Sequence, residues 1–228
     1  MTTDRAHDPA GEPFGTDVIL AEVSVAGASI STLGGLLGSE TVSASDERIA
    51  RIDELQLDLG EGPCWDAVAT GGPILEPDLR ARPSRIWPAF SRAVSALDVA
   101  ALFAVPLVVG PLRIGAIDLY DTRPRPLDDD DLARTIALAE VLGRQVLRRA
   151  IDRVRPEEER PGPFSRRVVH QATGFVIAQL GVSVTDAELL IRARAFAEDR
   201  SMQQVAEDVV ARRTGFTVAG TGIENGRS

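Results

Sequence analysis

Residues 101–120 read ALFAVPLVVGPLRIGAIDLY. Ala101 to Val109 is one apolar run, Arg113 to Tyr120 is a second, and Gly110-Pro111 stands between them. Apolar runs of this length, rich in β-branched and aromatic residues and bounded by Gly and Pro, read as strands joined by a turn. The stretch predicts a strand pair at the centre of a sheet.

The same signals recur on either side of it. Val25 to Leu33 is built of small and β-branched residues, Gly34 and Gly35 open a turn, and Glu40 to Ala44 returns, which predicts a hairpin. From Asp46 to Asp58 the apolar positions Ile49, Ile52 and Leu55, continued by Leu59, are spaced by three and four, the mark of an amphipathic helix. Gly60-Glu61-Gly62-Pro63 breaks that helix. Cys64 to Ala69 reads as a helical turn, Ile74-Leu75-Glu76 as a strand, and Trp87 to Leu97 as a helix entered at Pro88. Asp128 to Asp131 place four acids where a helix dipole favours negative charge, and that helix runs to about Val154. Strand pair, helix, strand, helix, strand pair and long helix add up to an α+β sensor-like module, an antiparallel sheet with helices against it.

Composition removes whole classes of chemistry. The 228 residues hold 25 basic side chains, all of them Arg. Without lysine there is no P-loop, no kinase ATP lysine and no Schiff-base enzyme. A response-regulator receiver, which uses a lysine beside its acidic pocket, is disfavoured on the same ground. One cysteine, Cys64, excludes an internal disulfide and a cysteine zinc cluster, and two histidines, His7 and His170, make a histidine metal site improbable. No cofactor, metal or catalytic group is expected. There is no run of about 18 apolar residues to span a membrane. The polar, acidic opening from Met1 to Gly15 lacks a basic segment followed by an apolar one, so no secretory signal and a cytoplasmic location are expected.

Charge and punctuation divide the chain. Residues 1–143 carry 11 Arg against 23 acids, and residues 144–228 carry 14 Arg against 11 acids. A polyanion is repelled by the first part and tolerated by the second. Between Arg155 and Pro163 three prolines, a glycine and four adjacent charges mark a linker. The expected organisation is an N-terminal disordered segment at 1–21, a sensor domain at 22–154, a linker at 155–164, a helical domain at 165–215 and a mobile tail at 216–228.

The long helix carries a weak heptad seam of Leu132, Ile136, Ala139, Gly143, Val146 and Ala150, which could pair with its copy in a dimer or cover its own sheet. After the linker come three helices. The first runs from Ser165 to Leu180, with Val168, Val169, Ala172, Phe175, Val176 and Leu180 on one face and Arg166, Arg167, His170 and Gly174 on the other. Gly181 ends it. Ser183, with Asp186 three residues on, caps the second, whose core face is Ala187, Leu190, Ile191 and Ala195, with Leu189 and Phe196 opposite. Ser201 and Gln204 form the capping box of the third, with Met202, Val205, Ala206 and Val209 inward and Gly215 as its stop.

Two resemblances follow from these residues. Asp53-Glu-Leu-Gln56, Leu59-Gly-Glu-Gly-Pro-Cys64-Trp-Asp-Ala67, Pro77-Asp-Leu79, Trp87-Pro-Ala-Phe90, Ala104-Val-Pro-Leu107 and Ile114-Gly-Ala-Ile-Asp-Leu-Tyr120 resemble the GAF domains of actinobacterial regulators, in the right order across about 22–150. Such domains usually begin with a helix before the first strand, for which little chain precedes Glu22. Some GAF-type proteins reduce methionine sulfoxide, but that chemistry needs a resolving cysteine, and Cys64 has none. Cys64 is expected to be structural; Asp118 and Asp121, near the end of a strand, could face a pocket but are expected rather as solvated turn acids. If a ligand pocket exists, its aromatic candidates are Trp87, Phe90, Phe103 and Tyr120; the favoured expectation is that they fill the core.

The second stretch, Arg166-x-x-Val169-x-x-Ala172-x-Gly174, Gly181-Val-Ser183-x-x-Asp186-Ala187, Leu190-Ile-Arg192, Ala195 and Val205-Ala206-x-x-Val209-Val210, resembles an ANTAR domain. The resemblance implies a three-helix module that binds paired hairpins in nascent transcripts and prevents a terminator from forming. Thr173 stands where that family usually has Lys, and Arg194 where an aromatic residue or His is common. The candidate RNA surface is Arg166, Arg167, His170, Thr173, Arg192, Arg194, Arg200, Arg212 and Arg213, because Arg stacks on bases and holds phosphate bidentately. A domain charge of only +3 favours two copies acting together on one transcript, hence a homodimer. Two other readings remain open: a DNA-binding factor using the last two helices, and a ligand-sensing or protein-interaction adaptor that no longer binds RNA.

Overall fold

The computed structural model describes residues 15–34, 37–81, 86–153, 166–219 and 222–227. The expected linker at 155–164 and the first fourteen residues of the expected N-terminal segment lie outside the described residues. The chain divides into two compact units, 1–164 and 165–228.

The first unit opens with α1 (Thr16–Glu22), where the sequence reading expected no ordered structure. Ile19 and Val23 are buried against the sheet, so this short helix supplies core that the residues after Glu22 alone would lack. Strands β1 (Gly27–Thr32) and β2 (Glu40–Ala44) follow as the expected hairpin. Helix α2 (Glu47–Leu59) starts at Asp46, whose carboxylate accepts from the backbone N–H of Arg48 at 2.8 Å and of Ile49 at 3.1 Å. It stops at Gly60 in the left-handed conformation. Then come α3 (Pro63–Thr70), β3 (Ile74–Glu76), α4 (Pro88–Val94), β4 (Ala101–Val109), β5 (Leu112–Asp121) and α5 (Asp129–Arg153).

All five strands pair antiparallel, in the order β2-β1-β5-β4-β3. The sheet is covered on both faces. Helices α1 and α5 cover one, with Ile19, Ala139, Leu142 and Val146 against Ala28, Ile30, Phe103, Val105 and Ile117. Helices α2, α3 and α4 cover the other, with Ile49, Ile52, Phe90 and Val94 against Leu102 and Tyr120. A sheet buried on both faces explains why Ala101 to Leu107 reads as continuously apolar rather than alternating.

The seam of α5 is used inside this unit. Ala139 and Val146 are buried in the core, and a Cβ on Gly143 would lie 3.3 Å from Val109 and 3.7 Å from Leu107. The seam covers its own sheet; among its members only Ile136 is well exposed, at 40%.

The second unit holds α6 (Arg167–Leu180), α7 (Val184–Ala197) and α8 (Met202–Val210). Ser183 accepts from the Asp186 N–H, and Ser201 and Gln204 form a reciprocal capping box. Val169, Ala172, Val176, Ala187, Ile191, Ala195, Met202, Val205, Ala206 and Val209 make one core. The sequence reading ended this unit at 215 and gave a mobile tail. Instead β6 (Thr214–Ala219) pairs antiparallel with β7 (Gly222–Arg227). Phe216 enters the helical core, which gives that segment an anchor that a polar tail would lack. Among the described residues no single helix is long and apolar enough to cross a membrane.

Gly115 sits opposite Thr32 where β5 meets β1, and a Cβ there would lie 1.9 Å from the Ser31 carbonyl oxygen. Gly115→Ala is expected to cost about 3 kcal/mol of stability, read as a lowered denaturant midpoint. Gly72→Ala, which meets nothing within 4 Å, is expected to leave the midpoint unchanged.

Candidate nucleic-acid interface and ligand sites

The nine residues expected at the RNA surface do not share one environment. Arg166 is 8% exposed, and its guanidinium lies 3.5 Å from the Met202 sulfur. Thr173 is 4% exposed and donates to the Val169 carbonyl of its own helix at 2.9 Å. Arg194 is 8% exposed: it pairs with Glu198 at 2.8 Å, donates to the Gly215 carbonyl and lies over the Phe216 ring at 5.5 Å. These three correct the sequence expectation. Arg166 links α6 to α8 and Arg194 ties α7 to β6, while the Thr173 hydroxyl turns back onto its own helix.

Two further arginines are committed to ion pairs. Arg200 bridges Glu198 at 2.9 Å and Asp208 at 2.8 Å, and Arg213 pairs with Asp208 at 2.6 Å. Hydrogen bonds from Arg200 and Arg213 hold the Asp208 carboxyl below its usual range. Against the upward pull of burial, Arg194 and Arg200 do the same for Glu198. Arg192 is half-buried. Arg212 is exposed and holds a left-handed backbone (φ 56°) just after α8.

The outward face of α6 is the most open part of the candidate surface. Arg167, His170, Gln171 and Gly174 are exposed, and Phe175, which the helical pattern assigned to the core, is 38% exposed beside them. Gly174 carries a second signal. A Cβ there would meet nothing within 4 Å, and its backbone is ordinary helix. Neither packing nor a turn requires glycine at this place, although mid-helix glycine costs about 1 kcal/mol relative to alanine. The open space around Gly174 is visible only in three dimensions. Contact of Arg166 with Met202 sets the start of α6 beside the start of α8, while Gln179 accepts from the Phe216 N–H at its far end. Arg167 thus lies near the start of α8, whereas Arg212 and Arg213 follow its other end.

In the first unit the four aromatic candidates are core. Trp87, Phe90, Phe103 and Tyr120 are each at most 4% exposed. Phe103 packs on the α1–α5 face of the sheet and the other three on the opposite face, so the four do not line one pocket. Tyr120 donates to the Asp46 carboxylate at 3.4 Å, and Trp87 donates to Asp66 at 3.1 Å. A cavity of about 530 Å³ has none of the four in its lining; it borders the same core through Val94 and Val99 and is lined also by Leu79, Pro88, Ser91, Arg80 and Arg92.

Beneath α2 lies a closed polar cluster. Asp53 accepts from Ser29 at 2.8 Å and from Thr41 at 3.2 Å. Gln56 donates to Asp118 and accepts from the Cys64 N–H at 2.9 Å. Ser29 stands opposite Asp118 in the β1–β5 register. Asp118, expected as a solvated turn acid, is fully buried; Asp121 is 7% exposed and pairs with Arg125. Burial, and then the Asp53 charge, push the Asp118 carboxyl well up; burial raises Asp53 to about 6 despite its hydrogen bonds. Burial and both acids also push the Cys64 thiol up, away from the thiolate that a nucleophile needs. Among the described residues, no three His, Cys, Asp or Glu side chains gather as a metal site.

The acid pair makes stability depend on pH. Unfolded, both carboxyls ionise near pH 4; folded, they keep protons to higher pH. Their stabilisation is complete below the unfolded value and is lost as pH rises through about 6 and beyond. Asp118→Asn, which mimics the protonated acid and keeps an acceptor for Gln56, is expected to flatten the fall in Tm between pH 6 and 9. A variant as steep as the parent refutes the assignment.

Comparison with known proteins agrees with this geometry. Residues 16–146 match the GAF domain family and residues 164–210 match the ANTAR domain. No curated protein matches the chain. Among solved structures the chain is similar to the cyanobacteriochrome TePixJ GAF domain (17% identity, 64% of this chain and 92% of that chain, TM-score 0.47). It is also similar to the type II free methionine-R-sulfoxide reductase from Thermoplasma acidophilum (16%, 60% and 89%, TM-score 0.46). A third is a GAF domain/HD domain protein from Geobacter sulfurreducens (15%, 58% and 87%, TM-score 0.45). At such identities no activity passes from those proteins to this chain. With the matched region spanning more than half of its residues, the chain belongs to the GAF domain family and carries an ANTAR domain behind it.

Proposed function

We propose that this protein is a signal-responsive regulator of the actinobacterial GAF–ANTAR kind, acting in the cytoplasm as a homodimer. Its ANTAR unit binds paired hairpins in nascent mRNA and keeps a terminator from forming; its GAF unit receives a small molecule or a protein signal. The observation that carries the reading is the outward face of α6 within the ANTAR match. There Arg167, His170 and Gln171 surround a glycine that nothing in the fold requires, with Phe175 at the margin.

The chemistry of that face suits folded RNA. Arg167 neutralises phosphate, and His170 and Phe175 offer flat rings to unpaired bases. Gly174 leaves the helix backbone open, so a sugar–phosphate strand comes closer than any side chain would allow. Arg212 contributes charge at the far end. Arg194 and Arg166 act indirectly, by fixing the bundle. One unit offers few contacts, so two copies on one transcript supply affinity through effective concentration.

A gel shift of the full chain with a two-hairpin RNA, run beside duplex DNA of the same length, tests the reading. RNA is expected to shift and DNA is not; equal shifts favour a DNA-binding factor, and no shift favours an adaptor. Arg167→Ala is expected to weaken RNA binding and lower the slope of log K against log salt by about one. Gly174→Ala is expected to stabilise the domain by up to about 1 kcal/mol while weakening RNA binding. Unchanged RNA affinity for Gly174→Ala removes the close-approach argument.

A further inference from the structure

The cavity beside α4 has a chemistry of its own. Its floor is apolar, from Leu79, Pro88, Val94 and Val99. At about 530 Å³ it lies within the usual range for small-molecule sites. Among the described residues its charged lining consists of Arg80 and Arg92, with no acid. Residues 1–143 carry twice as many acids as arginines, so an all-positive lining departs from the surface around it.

The two arginines are held in place by backbone and remain available. Asp78 accepts from the N–H groups of Arg80 and Ala81 at 3.0 and 3.1 Å, and the Leu79 N–H donates to Ala100 at 2.9 Å, which fixes the turn that presents Arg80. The ion pair of Arg80 with Asp98 is loose, at 3.7 Å, and both side chains are about two-thirds exposed. Such a pair contributes little and gives way readily to a better anion. Arg92 is exposed on α4, where Ser95 accepts no part of its side chain and instead donates to the Arg92 carbonyl. Ser91, directly before Arg92 on α4, adds a half-buried hydroxyl to the lining.

The geometry points to a binding site for a small amphipathic anion, an organic carboxylate or phosphate monoester whose apolar body lies on Leu79, Pro88, Val94 and Val99 while Arg80 and Arg92 hold its head. The inference rests on the sensor reading of the GAF unit and names the class of molecule that the unit receives. A guanidinium binds either head through two parallel N–H bonds. An apolar floor adds affinity only for a ligand with a carbon body. The site lies outside the closed acid cluster, so an anion does not meet Asp53 or Asp118.

Titration calorimetry and thermal shift of the full chain, without RNA, test the inference. The probes are octanoate, benzoate and phenyl phosphate, with benzyl alcohol as the neutral analogue and inorganic phosphate as the head alone. Amphipathic anions are expected to bind saturably and raise Tm, and both controls are expected to bind at least tenfold more weakly. The double variant Arg80→Gln/Arg92→Gln, with both side chains exposed and the fold checked by circular dichroism, is expected to lose at least tenfold in affinity. Ser91→Trp, which fills the cavity, is expected to abolish binding. The proposal is overturned if the neutral analogue or inorganic phosphate binds as well as the anions, if no probe saturates, or if the double variant binds like the parent. Because no RNA is present, a negative result here leaves the gel-shift outcome untouched, and a failed gel shift leaves this one untouched.

Discussion

Two carboxyl groups share one closed space beneath α2, and the first unit is organised around that constraint. Asp53 comes from the helix and Asp118 from β5. Burying two carboxylates side by side is costly, so ionisation is pushed to higher pH, most strongly at Asp118. Ser29 and Thr41 donate to Asp53 and Gln56 donates to one oxygen of Asp118, whose Oδ1 stays without a partner among the described residues, and Gln56 passes the connection on to the backbone of α3 at Cys64. One hydrogen-bonded cluster thereby joins β1, β2, β5, α2 and α3. Replacing it with an apolar plug would fill the volume but would not fix the register of helix on sheet in the same way.

The second unit spends its arginines in two ways. Some are internal struts: Arg194 reaches across to β6 and the Phe216 ring, and Arg200 joins the end of α7 to α8 through Glu198 and Asp208. Others, on the outer face of α6 and just past α8, remain at the surface. A chain without lysine makes this division hard to see by composition, because the same residue type serves both purposes. Arg suits the internal role as well as the external one: its planar fork keeps several directed hydrogen bonds when partly buried.

The pocket beside α4 shares Val94 and Val99 with the core but none of the four aromatic candidates. The aromatic side chains that a ligand site would favour are taken up by the two faces of the sheet. One concavity lies beside α4, and its lining is aliphatic and cationic rather than aromatic. The covering of the sheet by α5 draws on the same economy of surfaces, since the seam that resembles a dimer stripe is consumed by β4 and β5.

Much of this was legible in the chain itself. Strand and helix periods, the caps at Asp46, Ser183 and Ser201, the glycine stops at Gly60 and Gly181 and the antiparallel α+β plan are local properties, written within a few residues of where they act. The candidate surface was legible only in part: Arg167, His170 and Arg212 are exposed as expected, while Arg166, Thr173 and Arg194 are not. Only the tertiary structure decided that Asp118 is buried opposite Ser29, that Phe103 and Tyr120 look to opposite sides of the sheet, that Gly174 faces open space, and that the stretch after Gly215 closes the bundle as a strand. The physical reason is that periodicity states which side of an element is turned inward, whereas burial, charge pairing and free space depend on what another, distant segment brings against that side.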